Sequence, residues 1–134
     1  RKHGDNPERV THTDESFPVE RWQNYASPIW TDINPSDTLQ FTSAREEKDE
    51  RHICPLQLPV IKRAIDLWTN PDDVVFDPFA GIGSSGHVSL LNKRKFLGIE
   101  LKSSYYNQAV LNLRNAEGKA KFTQWSLDKF DARF

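Results

Sequence analysis

The chain has 134 residues, 37% of them hydrophobic and 28% charged, enough for one ordinary domain with a modest core. No apolar run approaches the roughly 20 residues that cross a bilayer and no charged-then-apolar start marks a signal peptide, so a soluble cytoplasmic protein without a membrane partner is expected. The lone cysteine, Cys54, excludes an internal disulfide and a multi-thiolate metal site, and no metal is expected.

The net charge of -1 conceals an asymmetry: residues 1–51 carry 7 basic against 11 acidic side chains, and residues 52–134 carry 11 against 8. Neither part has the basic excess of a self-sufficient DNA-binding surface. The chain starts at Arg1 and contains no methionine, so it is read as a segment of a longer protein.

Residues 1–51 read as irregular, because prolines at 7, 18, 28 and 35 interrupt any helical or alternating pattern. The aromatic residues of this segment, Phe17, Trp22, Tyr25 and Trp30, are expected to dock it onto the rest of the chain. A base-stacking platform would need interleaved basic residues, and few are present. The charged run from Ala44 to Arg51 reads as a solvated linker or short helix.

From Pro55 the pattern sharpens. Ile61, Ala64, Ile65 and Trp68 fall at helical spacing, with Pro59 near the start and Asn70-Pro71 as a stop. Val74-Val75-Phe76 reads as a buried strand. A glycine-rich turn comes next, and Ser84 or Ser85 would cap a helix running to about Lys93. Phe96-Leu97-Gly98-Ile99 reads as a second strand, ending at Glu100. A further helix, capped by Ser103 or Ser104, carries Tyr106, Ala109, Val110 and Leu113 on one face and ends before Gly118. Lys119 to Trp125 alternates and reads as a third strand. This order predicts an α/β fold with a small parallel sheet, flanking helices and right-handed crossovers, occupying residues 52–134.

The informative unit is a strand, a glycine turn, a helix, a second strand and an acid at its tip. Gly81 and Gly83 let the backbone turn tightly and let a ligand approach it closely, at the carboxyl edge of the strands. Glu100, 23 residues after Asp77, can accept hydrogen bonds from a ribose diol. Gly81, Gly83 and Gly86 also satisfy the G-x-G-x-x-G spacing of a dinucleotide site, so spacing leaves that alternative open. Asp77 argues against it: an acid beside the glycines repels a pyrophosphate and suits the cationic ammonium and sulfonium of S-adenosylmethionine. The plainer readings are a turn residue before a proline for Asp77 and a solvated strand end for Glu100.

At these residues the sequence resembles a known family. Asp77-Pro78-Phe79-Ala80-Gly81-Ile82-Gly83-Ser84-Ser85 is similar to the cofactor loop of the DNA adenine-N6 and cytosine-N4 methyltransferases, in particular of the permuted type, where the cofactor motif follows the catalytic one. Gly98-Ile99-Glu100-Leu101 with Tyr105 or Tyr106 resembles that family's ribose-binding strand end, and His52 to Pro59 resembles the element that closes over the methionine end. Leu58 stands where the family often has lysine. Trp22 to Leu39 is similar to phage and prophage members.

The resemblance implies a partial Rossmann-like methyltransferase fold with S-adenosyl-L-methionine as cofactor. Asp77 would face the methionine amino group, and the backbone at Phe79, Gly81 and Gly83 would line the methionine portion. Ser84 and Ser85 would meet its carboxylate, Glu100 the ribose hydroxyls and Leu101 the adenine. His52 and Gln57 are further candidates. The implied setting is the cytoplasm of a bacterial or phage-infected cell, in DNA methylation and restriction-modification.

Transfer to an exocyclic amine requires a flipped base. The resembled family holds it with an Asp, Asn or Ser followed by Pro-Pro and an aromatic residue. No Pro-Pro occurs here. Ser27-Pro28-Ile29-Trp30 is one residue away, which makes Ser27, Pro28 and Trp30 the catalytic candidates. Only 46 residues separate Trp30 from Asp77, too few for the strands and target-recognition segment between the two motifs in the permuted type. The catalytic motif is therefore expected upstream, along with most of the contact to double-stranded DNA, and the 134 residues alone are expected to be inactive. A three-stranded sheet would leave free edges, so self-association is expected unless residues 1–51 cover one. A non-catalytic cofactor-binding module and a dinucleotide-binding oxidoreductase fragment are the alternatives.

Overall fold

The computed structural model describes residue 10 and residues 12–15, 17–40 and 54–131, without the side chains of 124–131. The element order is α1 (Val19–Tyr25), α2 (Leu58–Trp68), β1 (Val74–Asp77), α3 (Ser84–Leu91), β2 (Lys95–Gly98) and α4 (Ser103–Asp131). The two strands pair in parallel, in a register running from Val74 opposite Lys95 to Asp77 opposite Gly98. Parallel pairing needs a crossover between the strands, and α3 supplies it.

The core lies where α2 and α3 meet the inner face of β1. Pro59 sits in the first turn of α2, where its missing N–H is one of the orphans of the helix start. Ile61 and Ile65, one turn apart, are buried against Val88 of α3, and Leu58 and Val75 close around them. Each such aliphatic side chain contributes roughly 1.5–3 kcal/mol when fully buried. Thr69 ends α2, its N–H and hydroxyl both donating to the Ile65 carbonyl. Arg94 then ties two helix ends together: it donates to Thr69 Oγ1 and O and to the carbonyl of Asn92, the C-cap of α3. A guanidinium suits this place, where two helix dipoles present their negative ends.

Residues 10–40 dock on α2 through the expected aromatics. Phe17 is buried, stacks on His12 at 4.4 Å and meets the Tyr25 edge at 5.5 Å. The buried Arg63 guanidinium lies 5.0 Å from the Tyr25 ring and 4.9 Å from the Trp30 ring, and pairs with Asp32. Trp22 is exposed. Within this segment, expected to be irregular throughout, α1 forms one short helix. The charged run 44–51 and His52 lie outside the described residues.

Two expectations are corrected. The helix expected to stop before Gly118 continues to Asp131, so Lys119–Trp125 is helical and the sheet has two strands among the described residues. Alternation over Ala120, Phe122 and Gln124 is too short to outweigh helix-forming neighbours, and the Glu117–Lys121 ion pair at 2.7 Å bridges Gly118 at helical spacing. The β1 strand is also not buried on both faces. Val74 and Phe76 are 61% and 55% exposed and Leu97 of β2 is 58% exposed, because helices cover only the Val75 side.

Candidate functional site

The strand β1 delivers Asp77 to the carboxyl edge of the sheet, and its carboxylate shapes the glycine loop. Asp77 Oδ1 accepts the Phe79 N–H at 2.9 Å, the Asx turn that lets the chain leave the strand at Pro78. Asp77 Oδ2 accepts the Ser85 hydroxyl at 2.5 Å, joining the strand tip to the first turn of α3. The loop between needs left-handed backbone at two points, Gly81 (φ +55°) and Gly83 (φ +83°), where a side chain would be strained.

Gly83 is the N-cap of α3, and no side chain caps the helix. The expected cap from Ser84 or Ser85 therefore does not form; the Ser85 hydroxyl is spent on Asp77. The opening amides of α3 have no partner within the helix, and its dipole turns a partial positive charge toward the loop.

A cleft of about 340 Å³ opens over this loop. Asp77, the loop and both serines form its polar side, Cys54, Pro55, Leu56 and Ile61 its apolar side, and Tyr105 adds an aromatic wall. Asp77 is the one charged lining residue among those described. A Cβ built on Gly81 would meet nothing within 4 Å, so the backbone faces open space.

Glu100 sits across the Ala80–Gly81 turn, facing a second hollow of about 150 Å³ that includes Gly98, Tyr106 and Ala109. One carboxylate oxygen accepts the Gly81 N–H at 2.8 Å and the other the Lys102 N–H at 2.8 Å. The two carboxylates thus flank one turn, each with lone pairs to spare.

Of the candidates, Asp77, Phe79, Gly81, Ser84 and Ser85 come together in the cleft. Gly83 lies beneath it, against Ala109 of α4. Leu101 is exposed beside Glu100. Gln57 donates to the Pro35 carbonyl at 3.4 Å and does not line the cleft. Ser27 is occupied locally by Ile29, and the Trp30 ring by Arg63; neither these nor Pro28 lines the cleft. Tyr105, not Tyr106, faces the cleft. Cys54 and Ile61 went unnamed as site residues; the segment 52–59 carried the only signal for the former, and Ile61 read simply as helix core.

The third glycine of the G-x-G-x-x-G spacing serves packing. A Cβ at Gly86 would lie 2.5 Å from both Leu113 and Phe96 side-chain atoms.

A family model described as DNA methylase, covering N6 and N4 amino-methylating enzymes, matches residues 2–111, and the chain belongs to this family. It is 38% identical over 81 residues to the DNA adenine methyltransferase YhdJ of Escherichia coli K12, covering 59% of this chain and 28% of that protein. It is 36% identical over 78 residues to the type II methyltransferase M.BglII of Bacillus subtilis, covering 57% and 22%. The chain thus spans between a fifth and a third of the length of these relatives. A DNA modification methylase of Thermus thermophilus, solved with S-adenosyl-L-methionine, shares the fold with a TM-score of 0.59 at 24% identity, over 87% of this chain and 41% of that one.

Proposed function

We propose that this chain is the S-adenosyl-L-methionine-binding part of a DNA amino-methyltransferase acting on adenine N6 or cytosine N4, with the base-holding motif elsewhere in the full-length protein. One observation carries the reading: the cleft presents Asp77 as its one charged lining group among the described residues, over an open glycine backbone, with Glu100 just across the turn. Its volume suits a ligand of this size. When bound, the cofactor supplies an electrophilic methyl group.

The residues divide the work of holding it. Asp77 accepts hydrogen bonds from the methionine ammonium and offsets the sulfonium charge. The opening amides of α3, with Ser84 and Ser85, take the methionine carboxylate. Glu100 accepts from the ribose hydroxyls, and Leu101 lies against the adenine. The apolar wall from Cys54 to Leu56 keeps water from the methyl group. His52 and Gln57 would act from the rim.

The partner is double-stranded DNA, held largely by other regions, in the cytoplasm of a bacterial or phage-infected cell and beside a restriction enzyme. The permuted order, with catalysis upstream, belongs to the same reading. The isolated chain self-associates through its uncovered sheet.

Calorimetric titration tests the central claim. S-adenosylmethionine is expected to bind and NAD not to. Asp77→Asn is expected to weaken S-adenosylmethionine at least about tenfold, since hydrogen bonds to charged groups contribute roughly 1.5–3 kcal/mol. Binding of NAD alone would overturn the reading. Methylation of DNA by the isolated chain, abolished by Trp30→Ala, would instead return catalysis to Ser27-Pro28-Ile29-Trp30.

A further inference from the structure

We infer, resting on the cofactor-binding reading above, that Asn112 of α4 is the positioning residue that sets the glycine loop for its ligand. The loop is held from two sides. On the strand side, Ala80 N donates to Ile99 O at 2.9 Å and Gly81 N to Glu100 at 2.8 Å. On the helix side, Asn112 Nδ2 donates to the Ile82 carbonyl at 2.8 Å. That carbonyl belongs to the peptide joining Ile82 to Gly83, and Gly83 sits at φ +83°. Peptide planes are rigid, so fixing this oxygen fixes the N–H of Gly83, which turns back onto Ala80 O at 2.8 Å. Were this plane to rotate, the loop and the opening amides of α3 would be aimed elsewhere.

Asn112 is itself oriented. Its Oδ1 accepts from Gln108 Nε2 at 3.1 Å, which leaves Nδ2 facing Ile82, and its backbone carbonyl meets His87 Nδ1 of α3 at 3.3 Å. One turn earlier on the same face, Ala109 sets how closely α4 approaches: a Cβ at Gly83 would lie 3.2 Å from Ala109 Cβ. Ile82 is buried, so its carbonyl would find no substitute donor in bulk water.

The substitution Asn112→Asp isolates the donor. It keeps the shape and the acceptor for Gln108 and places an oxygen against the Ile82 carbonyl. The probes are S-adenosylmethionine and 5′-methylthioadenosine, which shares the adenosine but lacks the amino-acid end. Losing one neutral hydrogen bond is expected to weaken S-adenosylmethionine about three- to tenfold, while 5′-methylthioadenosine, held at Glu100 rather than over the loop, keeps its affinity. A helix contact with only a structural role would lower both by the same factor. That outcome, or an unchanged S-adenosylmethionine affinity, overturns the assignment while leaving the cofactor reading intact. If the unaltered chain binds neither probe, the cofactor reading fails and this inference falls with it. Should Asn112→Asp not fold, Asn112→Ala removes the donor without adding charge and is read the same way.

Discussion

The side chain absent at Gly86 is occupied by its neighbours: a Cβ there would lie 2.5 Å from Leu113 Cδ2 and from the Phe96 ring, which is also wedged against Gly98. Phe96 has glycine on both sides and little room to retreat. Gly86→Ala is therefore expected to destabilise by about 1–3 kcal/mol through overpacking, outweighing the roughly 1 kcal/mol that alanine gains within a helix. Gly118 is the contrast, since a Cβ there meets nothing within 4 Å. Gly118→Ala is expected to stabilise by up to about 1 kcal/mol. Urea unfolding of the two variants checks both signs. The sole cysteine gives a probe of the cleft without mutation, because Cys54 is exposed and lines it. Maleimide labelling of Cys54 is expected to slow at saturating S-adenosylmethionine and not with NAD; equal slowing by both would count against a selective site. At this scale the loop from Asp77 to Ser85 was legible because its chemistry is local: an acid, two turn glycines and two hydroxyls in nine positions. The choice between Tyr105 and Tyr106 was not, because neighbouring helix residues point about 100° apart and only the phase of α4 decides. The contact of Asn112 with Ile82 spans the whole βαβ unit and leaves no trace in spacing.

The helix α2 joins the docked segment to the site, and the joint is sensitive to acid. The Arg63 hydrogen bond holds the Asp32 carboxyl below its ordinary range, against a small opposing effect of burial. A carboxyl depressed in the folded state contributes stability above its unfolded value, near 4, and loses it as pH falls through the folded value. The stability difference between the unaltered chain and Asp32→Asn is therefore expected to be present at neutral pH and to vanish below about pH 3 to 4. A difference that persists unchanged into strong acid would show that Asp32 acts through packing alone. The elements from α2 to β2 were readable because each carries a periodic apolar face with a stop signal beside it, such as Asn70-Pro71. The length of α4 was not readable. Gly118 looked like a terminator, yet a glycine ends a helix only where the chain adopts a left-handed turn, and here the Glu117–Lys121 pair spans it in helical geometry.

The whole molecule is a two-layer unit with one layer bare. Helices cover the Val75 side of the sheet, while Val74, Phe76 and Leu97 present an apolar face on the other, with Phe76 directly opposite Leu97 in the register. A two-stranded sheet draws its stability from what packs on it, and an apolar face of this kind invites a cover. The family relatives are three to five times longer than the matched stretch, so in the full-length protein other elements are expected to lie there. Alone, the chain has only itself. Sedimentation equilibrium is expected to show concentration-dependent association, and Phe76→Lys to weaken it while leaving α2–α3 packing and the acid response of Asp32 untouched, because the Phe76 side chain points away from that core. A monomer at all concentrations would mean that the bare face is tolerated in water, and would leave the association unsupported. The cofactor cleft would stand regardless, because Asp77 reaches its loop from the strand end and not from the sheet face.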